Sequence, residues 1–116
     1  MNQAGSMVPD NIRRITEQEW IQQMECNQSD IFAVVIYTPM CGTCKLAMQM
    51  ISLTLQAGVK IPVYAANIYD IPHFVEMCQI ESVPCFMIWQ GKDLIRKEYA
   101  VHSVDQLYKW FKEVEI

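Results

Sequence analysis

The sequence predicts an α/β protein, a three-layer α/β/α sandwich around a central mixed sheet. Strand-like and helix-like hydrophobic patterns follow each other in the order β-α-β-α-β-α-β-β-α, and such alternation favours parallel strands joined by right-handed crossovers. Two strand-like segments also flank Gly91, which predicts an antiparallel hairpin at the edge of the sheet. Because 116 residues is the length of one domain, we expect a flexible tail over residues 1–11 and a single domain over residues 12–116.

The first third of the chain predicts two strands and the helix between them. Residues 12–15 form the first strand. Thr16 and Glu19 then have the spacing of a capping box, which begins a helix that we expect to end near Asn27. Residues 31–38 are continuously apolar and rich in β-branched side chains, which is typical of a central strand covered on both faces.

The middle of the chain predicts a long helix, a strand and a short helix. The long helix covers residues 41–57, with apolar side chains at helical spacing and Gly58 after its last residue. Residues 61–69 form the next strand. Asp70 is expected to cap a short helix that ends near Gln79.

The last third predicts the hairpin and a final helix. The hairpin strands cover residues 85–90 and 93–100 on either side of Gly91. Ser103 and Gln106 have the spacing of a second capping box. The helix that they begin has an apolar face that must pack on a sheet, formed by Val104, Leu107, Tyr108 and Phe111.

Composition and charge exclude several classes of protein. Hydrophobic residues make up 52% of the chain and charged residues 19%, which is too apolar for a disordered protein. The net charge of −4 and the lack of a basic cluster argue against nucleic-acid binding. No stretch approaches the roughly 18 apolar residues of a membrane span. Residues 1–11 lack the pattern of a signal peptide, so we expect a cytoplasmic protein.

Five cysteines at irregular spacing fit a reducing compartment, and one tight pair among them points to redox chemistry. Cys41 lies between the central strand and the first turn of the long helix, where amide groups and the helix dipole favour its thiolate. It is therefore the expected nucleophile, and Cys44, one turn further on, is the expected resolving thiol. Gly42 lets the backbone of a target approach, and the Thr43 hydroxyl is placed to bind a cysteine sulfur.

A Cys-x-x-Cys pair can also be half of a zinc site, but such a site needs two further ligands with similar spacing. The remaining candidates, His73, His102, Cys78 and Cys85, are single and scattered along the chain. We therefore expect no metal site, and the thiol chemistry requires no organic cofactor.

Two other features leave alternatives open. Cys26 and Cys78 are expected to be small buried hydrophobic residues. Cys85 follows Pro84, and it either has a second redox role or packs within its strand. The long helix carries a second apolar stripe, which is either extra core or a surface for a partner or a homodimer: Leu46, Met50 and Leu53.

The residues around the cysteine pair resemble the thioredoxin family, and the resemblance extends from about Ile12 to the end of the chain. A central strand leads into Met40-Cys41-Gly42-Thr43-Cys44-Lys45, where the family has W-C-G-P-C-K. Further along, Val83-Pro84 matches a hydrophobic residue followed by a cis-proline. The resemblance implies a thioredoxin fold in which Pro84 abuts the cysteine pair and the Val83 backbone pairs with a target strand. It also implies that Met40, Gly42, Thr43, Val83 and Pro84 form the substrate-binding surface.

The activity implied by this resemblance is thiol–disulfide exchange through a Cys41/Cys44 dithiol–disulfide cycle. The expected partners are disulfide-containing protein substrates and an electron-donor reductase. One alternative is a non-catalytic redox sensor or adaptor that binds a partner protein through the same fold. A second is a glutaredoxin-like, glutathione-dependent reductase, which the extra N-terminal strand and helix disfavour.

Several residues depart from the family pattern. Val35 stands where most thioredoxins have a buried aspartate, and Ala65 stands where a lysine often partners it. Met40 replaces a tryptophan, Gln49 replaces a proline that bends the helix, and Ala100 replaces a glycine of the target-binding surface. These departures favour a specialised thioredoxin-like protein over a general thioredoxin.

Overall fold

A computed structural model of the chain describes residues 7–26 and 29–115. The order of its elements confirms the predicted one: β1 (Arg13–Arg14), α1 (Glu17–Cys26), β2 (Ile31–Tyr37), α2 (Gly42–Gln56), β3 (Val63–Asn67), α3 (Pro72–Met77), β4 (Cys85–Gln90), β5 (Asp93–Glu98) and α4 (Val104–Glu115). A single 3-10 turn, Ile68–Asp70, joins β3 to α3. The predicted helix end at Asn27 and the first six residues of the predicted tail lie outside the described residues.

The five strands form one mixed sheet in the order β1-β3-β2-β4-β5. β1 and β2 both run parallel to β3, as expected of strands joined by crossover helices. β4 runs antiparallel to β2 as well as to β5, although the alternation of strands and helices predicted that only the hairpin would be antiparallel. The six-residue α3 and the segment after it return the chain to the sheet in the reversed direction.

Side chains on the two faces of β2 divide the core in two. Ala33, Val35 and Tyr37 pack in a cluster with buried residues of α2 and α4, which we call the α2/α4 core. Phe32, Val34 and Ile36 pack in a second cluster with buried residues of α1 and α3, the α1/α3 core. Since the sheet is covered on both faces, the predicted three-layer sandwich is confirmed.

The first capping box forms as its sequence predicts. The Glu19 backbone N–H donates to the Thr16 hydroxyl at 3.1 Å, and the Thr16 N–H donates to the Glu19 carboxylate at 2.9 Å. The backbone hydrogen bond from Thr16 lowers the pKa of Glu19. The neighbouring Glu17 carboxylate accepts from the backbone N–H of Phe74, 3.1 Å away, and so ties α1 to the start of α3.

Two predicted helix caps differ from the structure. Asp70 lies in the 3-10 turn and does not cap α3, whose N-cap residue is Ile71 and has no side-chain cap. Pro72 at the first position of α3 has no N–H that would need an acceptor. In the second capping box the Ser103 hydroxyl accepts from the Gln106 N–H at 3.0 Å as predicted, but the Gln106 side chain accepts from His102.

Part of the predicted tail, residues 7–11, packs against the domain. Met7 and Val8 contact the α2/α4 core. Asn11 bonds twice with Ser52 of α2, donating to its carbonyl at 3.1 Å and accepting from its hydroxyl at 2.8 Å. The contacts of the domain therefore begin before residue 12. No helix in the described part of the chain is long and apolar enough to cross a bilayer.

Candidate active site

The cysteine pair lies where the central strand passes into the long helix. β2 ends at Tyr37, and Cys41 is the N-cap residue of α2, with extended backbone angles. Cys44 follows one turn later, with a Cα–Cα distance of 5.2 Å, and the two residues form a disulfide. Cys41 is half-buried, whereas Cys44 is fully buried in the α2/α4 core. The predicted nucleophile is therefore the more accessible of the two sulfurs.

Two donors point at the accessible sulfur. The backbone N–H of Cys44 donates to the Sγ of Cys41 at 3.1 Å. The Thr43 hydroxyl lies 3.3 Å from the same sulfur, and it must be the donor because a disulfide sulfur carries no proton. When the disulfide opens, both donors face the Cys41 thiolate, and hydrogen bonds to a charged acceptor are stronger than neutral ones. The predicted contact of Thr43 with a cysteine sulfur is confirmed.

The surface around the disulfide is open. The side chain of Met40 is 95% exposed, and Gly42 is exposed as well. A Cβ added at Gly42 would meet no atom of the described chain within 4 Å. The space that this glycine leaves empty is therefore open to solvent.

The peptide bond between Val83 and Pro84 is cis, as the resemblance implied. The Val83 side chain packs against both cores, so it lies at the border of the sheet's two faces. Within the described residues, neither the N–H nor the carbonyl of Val83 has a hydrogen-bond partner.

The core beside Cys44 is apolar where the family has an ionisable pair. Val35 is 0% exposed and Ala65 is 1% exposed, and the two are paired across β2 and β3. Both belong to the same α2/α4 core as Cys44. The buried polar residues in the described chain are Ser52 and Thr54, neither of which is an acid. Among the described residues, therefore, no buried carboxylate lies beside the resolving sulfur to accept its proton.

The other cysteines do not join the site. Cys85 is fully buried in the α1/α3 core, on the opposite face of the sheet from Cys44, and burial raises the pKa of its thiol to about 12. Its position supports packing within the strand rather than a second redox role. Cys78 is half-buried, and burial raises its pKa too. Cys26 is exposed, so the prediction that it is buried is wrong; it is the last residue of α1.

The second apolar stripe of α2 is partly open to solvent. Leu46 is 55% exposed and Leu53 is 54% exposed, whereas Met50 is half-buried against the α2/α4 core. The alternative of extra core burial therefore fails for both leucines. α2 is 15 residues long and continues without a break through the exposed Gln49 in its middle.

The structure adds a groove that the sequence analysis did not identify. It has a volume of about 530 Å³ and a mostly apolar lining that includes Thr38, Ile68, Tyr69, Pro72, Val75 and Val83. Tyr69 is 78% exposed at its rim. Two large apolar residues shortly before Pro72, Ile68 and Tyr69, could have indicated this groove. They lie in a short 3-10 turn and not in the strand predicted for residues 61–69. The groove reaches from Val83 to Thr38, whose carbonyl accepts from the Cys41 N–H at 3.3 Å.

No group of three or more metal-binding side chains occurs in the described ranges.

This chain is similar to known proteins both in sequence and in fold. The family model described as thioredoxin matches residues 11–113. A thioredoxin-like protein of Bacillus subtilis strain 168, YusE, is 37% identical over 86 residues, which is 74% of this chain and 81% of that protein.

Solved thioredoxin structures share the architecture at low sequence identity. The oxidized mitochondrial thioredoxin 3 of Saccharomyces cerevisiae has a TM-score of 0.74 and 21% identity, covering 89% of this chain and 95% of that one. A single-site variant of the thioredoxin of Halobacterium salinarum has a TM-score of 0.76 and 14% identity, covering 91% and 92%. The predicted thioredoxin fold is confirmed.

Proposed function

The chain belongs to the thioredoxin family, and from this premise we propose that it reduces disulfide bonds in other proteins through Cys41 and Cys44. Its family and its disulfide-forming pair support thiol–disulfide exchange in general. Protein disulfides are the substrate class that we propose for it. The observation that carries the proposal is the asymmetry of the pair: a half-buried sulfur with two donors, and a fully buried sulfur behind it.

The proposed reaction transfers two electrons from the reduced pair to the target. The Cys41 thiolate attacks one sulfur of the target disulfide, forms a mixed disulfide and releases the other target sulfur as a thiolate, which takes up a proton. Cys44 then loses its proton and attacks the Cys41 sulfur. This step forms the Cys41–Cys44 disulfide and releases the second target thiol. A donor reductase must afterwards return two electrons to the pair.

A protein substrate is supported by the surface beside the disulfide. Val83 offers one free N–H and one free carbonyl, which suit an extended peptide that pairs like a strand. The groove next to Val83 is mostly apolar and ends at the exposed ring of Tyr69. An extended peptide bound at Val83 would place an apolar side chain there. A small disulfide would use neither feature.

We also propose that the protein works in a reducing compartment, the cytoplasm. Three cysteines, Cys26, Cys78 and Cys85, are unpaired in the structure. Unpaired thiols persist where glutathione and related systems keep them reduced.

Reduction of insulin with dithiothreitol as electron donor tests the proposal. The wild-type protein should accelerate precipitation of the insulin B chain, and Cys41→Ser should abolish the acceleration. Cys26→Ser is the matched control, because it removes an exposed thiol remote from the site and should retain full activity. A wild-type protein no faster than dithiothreitol alone would reject the proposed activity.

A second candidate function, a redox-sensitive adaptor or homodimer, is favoured by the exposed leucines of α2. Leu46 and Leu53 lie two turns apart on one helix and are each more than half exposed. Light scattering measures self-association, which the double substitution Leu46→Lys and Leu53→Lys should abolish. Ile95→Lys on β5 also adds a charge at an exposed apolar residue and should leave self-association unchanged. An inactive wild type with intact association would favour this candidate.

A further inference from the structure

The segment between α3 and Val83 has an unusual backbone. α3 ends with Cys78 as its C-cap, and Gln79 then has a φ of 53°, in the left-handed region that favours glycine. The Ile80 N–H donates to the Val75 carbonyl at 3.0 Å, and the Gln79 N–H donates to the Glu76 carbonyl at 3.2 Å. This is the hydrogen-bond pattern of a Schellman motif with glutamine where glycine is usual. The turn therefore benefits from support by other parts of the fold.

Two side chains from the hairpin supply that support. The Tyr99 hydroxyl donates to the Gln79 carbonyl at 3.2 Å and accepts from the Glu81 N–H at 3.2 Å. The Lys97 ammonium donates to the Cys78 carbonyl at 3.0 Å. The Cys78 carbonyl, the Gln79 carbonyl and the Glu81 N–H are thus hydrogen-bonded to side chains that lie 19, 20 and 18 residues away in the sequence.

The two side chains also restrain each other. The Lys97 ammonium lies 5.4 Å from the centre of the Tyr99 ring, within the range of a cation–π interaction. Both are partly buried, and Tyr99 packs on the same α1/α3 core as Val83. Lys97 belongs to β5, where its register partner in β4 is Met87. Tyr99 follows the last residue of that strand. One of the two supporting side chains is therefore held by the sheet, and the other lies directly after it.

We propose that Lys97 and Tyr99 are positioning residues for substrate binding, which hold residues 78–81 so that the free backbone groups of Val83 keep their place in the groove that Thr38 also lines. The inference rests on the proposed function, because it assigns Val83 to the binding of a target chain. Only Ser82 separates Val83 from Glu81, whose N–H is bonded to Tyr99. A shift of the turn would therefore move Val83 directly, whereas Cys41 lies on another element and would stay in place.

Kinetics with two kinds of substrate test the proposal. Tyr99→Phe keeps the ring and removes only the hydroxyl, and we expect it to raise KM for a disulfide-containing protein about threefold to tenfold, the loss of one or two hydrogen bonds. The value of kcat and the single-turnover rate with a small aromatic disulfide should stay at wild-type level. Lys97→Met should act in the same direction, and Lys97→Arg, which keeps a donor, should restore KM. Tyr108→Phe on α4 is the control for loss of an exposed phenol.

Amide hydrogen exchange gives a readout that does not depend on activity. In Tyr99→Phe, exchange at the hydrogen-bonded amides of Gln79, Ile80 and Glu81 should rise several-fold while exchange in the middle of α2 stays unchanged. Unchanged exchange at the amides of Gln79, Ile80 and Glu81 would overturn the proposal. So would a variant whose rate with the small disulfide falls by as large a factor as its KM for the protein substrate rises. A wild-type protein that does not reduce proteins would reject the proposed function instead, and the exchange measurement would still decide whether the two side chains hold the segment.

Discussion

Placing a carboxyl group at Val35 tests whether the resolving step lacks a proton acceptor. Val35 is fully buried in the same core as Cys44, and its strand neighbour Ala65 offers no charge. Before Cys44 can attack, its thiol must lose a proton, and no buried acid in the described chain can accept it. In the wild-type protein we therefore expect the mixed disulfide at Cys41 to resolve slowly near neutral pH. The rate should rise about tenfold per pH unit, as the thiolate fraction does.

Val35→Asp should make that step faster and the protein less stable. A positioned proton acceptor contributes about a hundredfold or more, so we expect about a hundredfold faster resolution at pH 7 and a smaller dependence on pH. Burial should raise the pKa of the introduced carboxyl by about three units. The resulting loss of stability is absent below the unfolded-state pKa of about 4, grows by about 1.4 kcal/mol per pH unit, and levels off near pH 7 at about 4 kcal/mol.

The assay is single-turnover reduction of a disulfide peptide from pH 5 to pH 9. Cys44→Ser isolates the first attack, so that the resolving rate can be separated from it. Val35→Asn is the matched control, since it has the size of the aspartate but no carboxylate, and it should resolve no faster than wild type. Thermal unfolding of each variant verifies that it is folded under the conditions of the assay. Equal resolving rates for wild type and Val35→Asp at every pH would refute the reasoning, and would mean that water or Thr43 already moves the proton.

Three further predictions concern the thiols. In the reduced protein, brief iodoacetamide treatment at neutral pH should label Cys41 first, because two donors stabilise its thiolate; mass spectrometry that finds Cys26, Cys78 or Cys85 labelled first would contradict the assigned nucleophile. Thr43→Val should slow the alkylation of Cys41 about tenfold, which corresponds to about 1.4 kcal/mol for a hydrogen bond to a charged group, whereas Thr43→Ser should react like wild type; no difference between valine and serine would exclude the hydroxyl as a donor. Burial raises the pKa of Cys85 from 9.0 to about 12, so the unfolded chain loses this proton first and stability should fall as pH rises above 9; urea unfolding of Cys85→Val at pH 8 and pH 10 should show a weaker fall, and an unchanged fall would assign the effect to other groups.

The features that were predictable from the sequence depend on residues close together in the chain. Thr16 and Glu19 are three positions apart in the sequence, and so are Cys41 and Cys44, so one turn of helix is enough to bring each pair together. The apolar run of β2 predicted a strand covered on both faces for the same reason. Local patterns carried most of the element order and the position of the disulfide.

The features that were missed depend on contacts between distant residues. The reversed direction of β4 follows from how the chain returns from α3, which hydrophobic periodicity does not encode. The exposure of Cys26 depends on where α1 ends relative to the sheet. The bonds from Tyr99 to Gln79 and Glu81 join side chain and backbone across about 20 residues with no motif at either end. Such contacts are set by the tertiary fold.

The two edges of the sheet have a consequence for how the protein avoids unwanted association. One edge is β1, which has only two residues, both exposed arginines. The other is β5, which carries Arg96 and Lys97 and is out of register with β4 at Ile88 and Trp89. Short, charged and irregular edges resist strand addition. The unpaired backbone groups of Val83 lie at neither edge. Edges that resist fibril-like pairing would therefore leave an extended chain the binding place that we propose at Val83.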